Sequence, residues 1–207
     1  MAAERIALVD YGAGNLRSVE NALRAAGAER VDVTADPAMV LAADRIVLPG
    51  VGAFAACMGA LSAIPGMVDA MAEAVRVRGR PFLGVCVGMQ LLADAGEEHG
   101  RHAGLGWIGG TVRALEPADP ALKVPHMGWN DVRPTGIAPL IEVGEAYYLH
   151  SFAFDGVDPA HLAATTDHGG PVTAAVARDT IVGVQFHPEK SQAYGLAFLA
   201  RFLGWRP

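Results

Sequence analysis

The sequence predicts an α/β fold in which a central, mostly parallel sheet is flanked by helices and antiparallel strands follow in the second half. In the first half, short apolar runs alternate with segments of helical periodicity, which is typical of parallel strands covered on both faces. In the second half, strand-like runs follow one another with only turn residues between them. The 207 residues, 52% of them hydrophobic, are enough for one large core, so we expect 1–207 to form a single domain.

Helices and strands alternate over the first half of the chain. The first helix is predicted over 16–26, where apolar residues recur every three or four positions. A second helix begins at Asp36, which is a favourable N-cap residue and is followed by proline. Further helices are predicted over 54–61 and 67–78. The apolar strands between these helices are predicted over 6–9, 31–34, 45–48 and 81–85.

Strands dominate the second half, and some of them are expected to form antiparallel hairpins. They are predicted over 111–115, 130–133, 146–154, 162–166, 173–177 and 181–186. A helix over 192–203 is predicted to close the chain. The segment 96–104, rich in glycine, glutamate and histidine, is predicted to be a mobile surface loop.

Composition excludes several classes of protein. The net charge of −6 argues against a nucleic-acid partner, whose phosphates require a basic face. Two cysteines fit the reducing cytoplasm better than a disulfide framework, and we interpret Cys57 as a small buried hydrophobic residue. A strand follows Arg5 directly, so no signal peptide is expected. The uncharged stretch 46–68 is interrupted by prolines and glycines, so no membrane span is expected.

The segment 84–90, Gly-Val-Cys-Val-Gly-Met-Gln, has the pattern of a nucleophile elbow with cysteine in place of serine. A short apolar strand precedes it and a helix is predicted to follow. Glycines two residues before and after Cys86 allow the backbone to turn sharply. The helix N-terminus favours the thiolate form of Cys86. The pattern therefore predicts an enzyme that transfers acyl groups through a cysteine.

The best candidate for the base is His187, which ends an apolar strand and precedes Pro188. Proline keeps His187 extended, and residues two apart in an extended chain project to the same side. Glu189 can then accept the Nδ1 proton of His187 and leave Nε2 free to act on sulfur. Taken alone, the pattern fits a strand-end histidine beside a surface glutamate equally well. The elbow favours the catalytic interpretation.

The other histidines are weaker candidates. His99 and His102 lie in a segment that reads as a solvated loop, so no metal site is expected. His161 and His168 lie beside turn residues and are expected to be exposed. His126 and His150 lack a carboxylate two residues on, and we interpret them as residues that shape the cleft or are simply buried.

The oxyanion hole needs two backbone donors. In an elbow, the N–H that follows the nucleophile serves this role, here that of Val87. A second donor is expected from the Pro-Gly-Val-Gly loop at 49–52, from Val51 or Gly52, although the loop also fits a plain glycine turn.

Gly12 and Gly14 begin like a dinucleotide-binding motif, but Arg17 occupies the position of the third glycine. A protease would also fit a cysteine–histidine pair, but the sequence indicates no extended substrate groove.

These motifs resemble a known family. The elbow and the segment 183–189, Gly-Val-Gln-Phe-His-Pro-Glu, are similar to the nucleophile and base motifs of triad-type (class I) glutamine amidotransferases, which have a flavodoxin-like fold. Four further blocks, 10–16, 48–54, 125–130 and 187–191, resemble the glutaminase subunits (HisH) of imidazole glycerol phosphate synthase, from residue 6 to about 203. The block His-Met-Gly-Trp-Asn is the most specific. Val87 departs from the usual leucine, with little expected consequence because only its backbone is used.

The resemblance implies a reaction, a partner and a set of residues. Cys86 attacks the amide of glutamine, His187 transfers the proton and Glu189 orients His187, without a cofactor or metal. Ammonia then passes to a TIM-barrel cyclase subunit (HisF), which forms imidazole glycerol phosphate and an aminoimidazole carboxamide ribonucleotide in histidine biosynthesis. The residues expected to bind glutamine are Gly52, Gln90, His150, Ser151 and Phe152. Those expected at the partner interface are Asn15, Trp129 and Lys190.

Two alternatives stay open at this point. A glutaminase of pyridoxal phosphate synthesis belongs to the same superfamily, but the His-Met-Gly-Trp-Asn block disfavours it. A non-catalytic binding protein on the same fold is disfavoured because Cys86, His187 and Glu189 are all present.

Overall fold

A nine-stranded mixed sheet lies at the centre of the part of the chain that the computed structural model describes, residues 3–207. The strands are β1 (Arg5–Val9), β2 (Arg30–Thr34), β3 (Arg45–Leu48), β4 (Phe82–Val85), β5 (Ala95–Gly96), β6 (His102–Ala103), β7 (Thr111–Ala114), β8 (His126–Pro134), β9 (Gly144–His150), β10 (Phe152–Asp155), β11 (Leu162–Asp167), β12 (Pro171–Arg178) and β13 (Ile181–Val184). The helices are α1 (Leu16–Ala25), α2 (Pro37–Leu41), α3 (Phe54–Ser62), α4 (Met67–Ala72), α5 (Val87–Gln90) and α6 (Gln192–Gly204). A π-helical segment, Glu73–Val77, continues α4, and a 3₁₀ turn, Pro188–Lys190, precedes α6.

The order of strands in the large sheet is β2-β1-β3-β4-β13-β12-β11-β8-β9. The strands from β2 to β13 pair in parallel, and the remainder pair antiparallel. Strands β4 and β13 are neighbours, with Val85 paired to Val184. Because their carboxyl ends lie at the same edge, residues 86 and 185–187 emerge side by side although about 100 positions separate them.

Strands β1, β3 and β4 are buried on both faces, as their continuous apolar sequences predict, whereas β2 lies at the edge of the sheet and leaves Val33 exposed. Asp36 caps α2 through a hydrogen bond from the N–H of Ala38, as predicted. Arg45 is a buried exception within β3. Its guanidinium donates to the carbonyl oxygens of Phe202 and Trp205 at 2.9 and 2.8 Å, and so satisfies the end of α6.

The prediction of one strand over 146–154 is wrong. The chain breaks at Ser151: β9 pairs with β8 in the large sheet, whereas β10 pairs with β7 in a second sheet of order β10-β7-β5-β6. Tyr148 and Phe154 are both buried, so apolarity does not reveal the change of partner. The break places Ser151 and its neighbours at the end of β4.

Within residues 3–207, no single helix is long and apolar enough to cross a membrane. Helix α3 and the segment Met67–Val77 together have the length and apolar composition of a membrane span, but the chain bends by 93° between them.

Candidate active site

Cys86 lies at the turn between β4 and α5 with φ 54° and ψ −113°, a strained conformation for a residue with a side chain. The flanking glycines allow close backbone contact. A Cβ on Gly84 would lie 2.6 Å from the carbonyl oxygen of Gly88, and one on Gly88 would collide with that of Leu48. Cys86 is 4% exposed, so the elbow presents its sulfur to a cavity rather than to open solvent.

His187 and Glu189 form a buried pair. Nδ1 of His187 lies 2.9 Å from Oε1 of Glu189, and both side chains are at most 3% exposed. Burial lowers the pKa of His187, but the hydrogen bonds and charges of Cys86 and Glu189 more than offset this and raise it to about 9. Beyond His187 the chain forms the 3₁₀ turn rather than remaining extended, so the pair arises from a turn and not from strand alternation.

Cys86 and His187 line a cavity of about 330 Å³. It is also lined by all the residues predicted for glutamine binding and the oxyanion hole: Val51, Gly52, Val87, Gln90, His150, Ser151 and Phe152. Lys190 reaches it, and Glu189 lies behind His187. A larger cavity of about 560 Å³ beside Arg113 contains none of these groups, so chemistry rather than size identifies the site.

The 49–52 loop lies against the elbow. A Cβ on Gly50 would lie 2.7 Å from the nitrogen of Gly88. Two side chains fix the carbonyl groups of this loop: the Tyr11 hydroxyl donates to the carbonyl of Pro49 at 2.6 Å, and the Cys57 thiol donates to that of Val51 at 3.3 Å. Within residues 3–207, no acceptor is hydrogen-bonded to the N–H groups of Val51, Gly52 and Val87.

Glu98 was missed by the sequence analysis. It lies in the segment predicted as a mobile loop, but its carboxylate accepts a hydrogen bond from the N–H of Phe54 at 2.8 Å and lines the cavity. Glu98 is the acidic side chain of this lining, and Lys190 is the basic one. Only its position could reveal it, because a glutamate in a polar loop carries no signal in the sequence.

His126 and His150 form a neutral hydrogen-bonded pair, with Nδ1 of His126 3.0 Å from Nε2 of His150. Burial lowers the pKa of His126 to about 4 and that of His150 to about 3, which keeps both rings uncharged at neutral pH. Nδ1 of His150 donates to the carbonyl of Phe152, so Nε2 must accept from His126. His168 stacks on His126 and is half-buried, contrary to the expectation that it is exposed. Among the described residues, no cluster of potential ligands could hold a metal ion.

Two of the three predicted interface residues meet at one side chain. The indole of Trp129 packs edge-on against the ring of Tyr147, with the ring centres 6.2 Å apart, and Nζ of Lys190 lies 5.8 Å from the centre of the Tyr147 ring. Trp129 is 48% exposed although it is large and apolar. Asn15 is exposed at the start of α1, which packs against the Pro188–Lys190 turn.

Comparison with known proteins agrees with this arrangement. The profile of the family described as "Glutamine amidotransferase class-I" matches residues 7–203. The chain is 65% identical to the imidazole glycerol phosphate synthase subunit HisH of Zymomonas mobilis, covering 100% of this chain and 98% of that one. It is 58% identical to the HisH subunit of Rhodospirillum rubrum, covering 98% and 100%.

Solved structures show the same fold at low sequence identity. A glutamine amidotransferase crystal structure has a TM-score of 0.73 at 16% identity, covering 96% of this chain and 99% of that one. The PurLQS structure from Thermotoga maritima has a TM-score of 0.70 at 19% identity, covering 98% and 99%. The fold is thus that of the class I glutamine amidotransferases, as predicted. The chain belongs to this family and, within it, to the HisH subunits of imidazole glycerol phosphate synthase.

Proposed function

We propose that this chain hydrolyses glutamine at Cys86 and delivers the ammonia to a TIM-barrel cyclase subunit, HisF, for the synthesis of imidazole glycerol phosphate. The observation that carries the proposal is the geometry of one cavity. A thiol on a strained elbow, a buried histidine–carboxylate pair and backbone N–H groups that have no hydrogen-bond acceptor within residues 3–207 converge there. That combination suits acyl transfer through a thioester.

Each group has a defined step. The Cys86 thiolate attacks the carboxamide carbon of glutamine while His187 holds the proton. The tetrahedral intermediate collapses, the C–N bond breaks, and His187 gives its proton to the departing ammonia. Water then attacks the γ-glutamyl thioester, with His187 now accepting a proton, and glutamate leaves as the Cys86 thiolate re-forms. Glu189 holds the imidazole with Nδ1 protonated, which leaves Nε2 as the ring nitrogen that exchanges the proton with the sulfur.

The negative charge of the tetrahedral intermediate needs donors that are already in place. The N–H groups of Val87 and of the loop residues Val51 and Gly52 are suited to this, because they line the cavity and donate to no described acceptor. Removal of one such donor typically costs about 3–4 kcal/mol of transition-state stabilisation.

Recognition of glutamine requires groups for its ammonium and carboxylate as well as its amide. The carboxylate of Glu98 is the natural partner for the α-ammonium group, since it is the acidic side chain of the lining. Gln90 donates both to the carbonyl of Phe152 and to Gln185, so its amide oxygen is the atom left for the substrate. The Ser151–Phe152 backbone, at the break between β9 and β10, completes the wall.

The partner follows from the product. Ammonia released into water at neutral pH is mostly protonated and no longer nucleophilic, whereas a closed route between two sites keeps it reactive. We assign Asn15, Trp129 and Lys190 to the interface with the barrel, on the grounds that Trp129 exposes apolar surface and that Lys190 extends from the cavity. A cytoplasmic location fits a reaction that requires Cys86 reduced.

The test is ammonia release from glutamine with and without the HisF barrel and its nucleotide ligand. We expect strong stimulation by the complete system. Cys86→Ala should abolish glutamine-dependent synthesis but leave synthesis from added ammonium salts, because the barrel carries the second reaction. No glutamine hydrolysis even in the complete system would overturn the proposal, as would stimulation by the barrel of pyridoxal phosphate synthesis instead.

A further inference from the structure

Gln185 is a fully buried polar residue that contacts the nucleophile. It follows β13 directly, and none of its surface is exposed. Its Nε2 lies 3.6 Å from Sγ of Cys86, and its Oε1 accepts a hydrogen bond from Nε2 of Gln90 at 3.1 Å. The side chain therefore lies between the sulfur and a wall of the glutamine pocket.

The surrounding hydrogen bonds fix which end of the Gln185 amide faces the sulfur. The carbonyl oxygen of Phe152 can only accept, and it takes a hydrogen bond from Nε2 of Gln90 at 2.9 Å. Gln90 must therefore present its NH₂ group on this side, and Gln185 must offer its oxygen in return. The NH₂ group of Gln185 is then directed at Cys86.

His150 reinforces this orientation. Its Nδ1 donates to the same carbonyl of Phe152 at 2.9 Å, and its Nε2 is occupied by His126. The carbonyl oxygen of Phe152, which ends this series of hydrogen bonds, therefore accepts from both Gln90 and His150. Rotation of the Gln90 amide would bring its oxygen against the carbonyl of Phe152, an unfavourable contact between two acceptors.

An N–H group aimed at sulfur discriminates between the two protonation states of cysteine. A thiolate is a charged acceptor and gains a charge-assisted hydrogen bond, whereas a neutral thiol is a weak acceptor. On a different side of Cys86, the carbonyl of Leu149 lies 4.0 Å from the sulfur and offers no donor. Gln185 is therefore the neutral side chain that supplements the charge of His187.

We propose that Gln185 is a catalytic residue that stabilises the Cys86 thiolate through its amide N–H and couples the sulfur to the glutamine pocket through Gln90. This rests on the proposed function in so far as Cys86 is the nucleophile. The hydrogen bond is strongest when the sulfur is a thiolate, weakens when the sulfur carries the acyl group, and re-forms when the thioester is hydrolysed. Gln185 thus favours the thiolate both at the start of the cycle and as the leaving group at its end.

The test is the pH dependence of Cys86 alkylation by iodoacetamide, followed by mass spectrometry of the peptide that contains Cys86. Gln185→Met keeps a side chain of similar length but removes its hydrogen bonds to Cys86 and Gln90. Gln185→Glu removes the amide N–H and places a carboxylate near the sulfur. Thr180→Val is the matched control, because Thr180 precedes β13 at its other end and donates to the carbonyl of Val75. The isolated, folded subunit is used, so neither glutamine nor the barrel is needed.

We expect the midpoint of the alkylation profile to rise by about one pH unit in Gln185→Met and further in Gln185→Glu, with no change in Thr180→Val. At one pH unit or more below the wild-type midpoint, the methionine variant should react about tenfold more slowly. Well above the new midpoint it should match or exceed the wild type, because a less stabilised thiolate is more nucleophilic. A purely structural role would lower the melting temperature and leave the midpoint unmoved.

An unchanged midpoint in the folded methionine variant would overturn the role of Gln185. Because Gln185→Met introduces no buried carboxylate, its alkylation profile tests the role of Gln185 even if Gln185→Glu does not fold. Failure of the proposed function gives a different result: the wild-type complex would release no ammonia, while the alkylation profiles would still differ among the variants.

Discussion

The thiol of Cys57 lies 3.3 Å from the carbonyl oxygen of Val51 and donates to it. In a trans peptide the carbonyl and the following N–H point in opposite directions, so this contact directs the N–H of Gly52 away from Cys57. Cys57 is thus more than the small buried hydrophobic residue that the sequence predicts. It fixes one peptide plane of the loop that faces Cys86.

Cys57→Ala should lower kcat for glutamine hydrolysis in the complex with the barrel, with little change in KM. Without the thiol, the Val51–Gly52 peptide can rotate, and the N–H of Gly52 is no longer held in one direction. We expect kcat to fall about tenfold, which is less than the roughly hundredfold loss typical of one missing oxyanion donor. Cys57→Ser keeps a donor and should retain most of the activity. Equal kcat for the alanine variant and the wild type would show that the contact is not needed.

The pKa of His187, which Cys86 and then Glu189 raise, predicts how stability depends on pH. The pKa of His187 is raised to about 9, whereas an unfolded histidine has a pKa of about 6.5. The folded chain holds this proton more tightly, so the stabilisation is fully present below about pH 6.5 and is lost as pH rises through about 9. Glu189→Gln removes the contribution of the carboxylate and leaves that of Cys86, so it should reduce the fall in unfolding free energy over this range.

Urea unfolding between pH 6 and 9.5 measures this effect, with Glu145→Gln on the exposed surface of β9 as the control. We also expect kcat of Glu189→Gln to fall by about a hundredfold or more, because the charged imidazole loses its counterion. If Glu189→Gln and the wild type lost stability in parallel as pH rises, the pair would not be the source of the dependence.

The buried strands β1, β3 and β4 and the meeting of Cys86 with His187 at one cavity were predictable because local signals and topology agree. Continuous apolar runs indicate buried parallel strands, and the carboxyl ends of β4 and β13 lie at one edge of the sheet. Any nucleophile and base that follow two such neighbouring strands are brought together. The positions of Cys86 after β4 and of His187 after β13 therefore predict that these two residues meet, whereas the contact of His187 with Glu189 depends on the Pro188–Lys190 turn.

What could not be predicted depends on contacts between distant segments. Strands β5 and β6 have two residues each, too few for any periodicity. The break at Ser151 depends on the pairing of β10 with β7, about 40 residues earlier in the chain. Glu98 reaches the cavity only because its loop packs against the start of α3. The contact between Gln185 and Cys86 could not be predicted, because it depends on the hydrogen bonds that link Gln185 to Gln90 and Gln90 to Phe152.

Gly88→Ala should destabilise the protein by more than about 2 kcal/mol and abolish most of the glutaminase activity. The added Cβ would overlap the carbonyl of Leu48, so the β3 end and the elbow must move apart. Gly59→Ala in α3 is the control, since its Cβ would meet nothing within 4 Å and a helical alanine is favoured over glycine by roughly 1 kcal/mol. Thermal unfolding and kcat measure both. A Gly88→Ala variant with unchanged stability and activity would contradict the close packing of Gly88 against Leu48.

Lys190→Ala should weaken stimulation by the barrel more than it weakens glutamine binding. Its ammonium group lies over the ring of Tyr147, which also contacts the exposed Trp129, so the lysine links the cavity to this surface. Lys123→Ala is a matched control, because Lys123 is also exposed and does not line the cavity. We expect about a tenfold loss in the ratio of stimulated to basal ammonia release, with KM for glutamine changed less than about threefold, as for a cation–π contact at an interface. A Lys190→Ala variant that is stimulated as strongly as the Lys123→Ala variant would remove Lys190 from the interface.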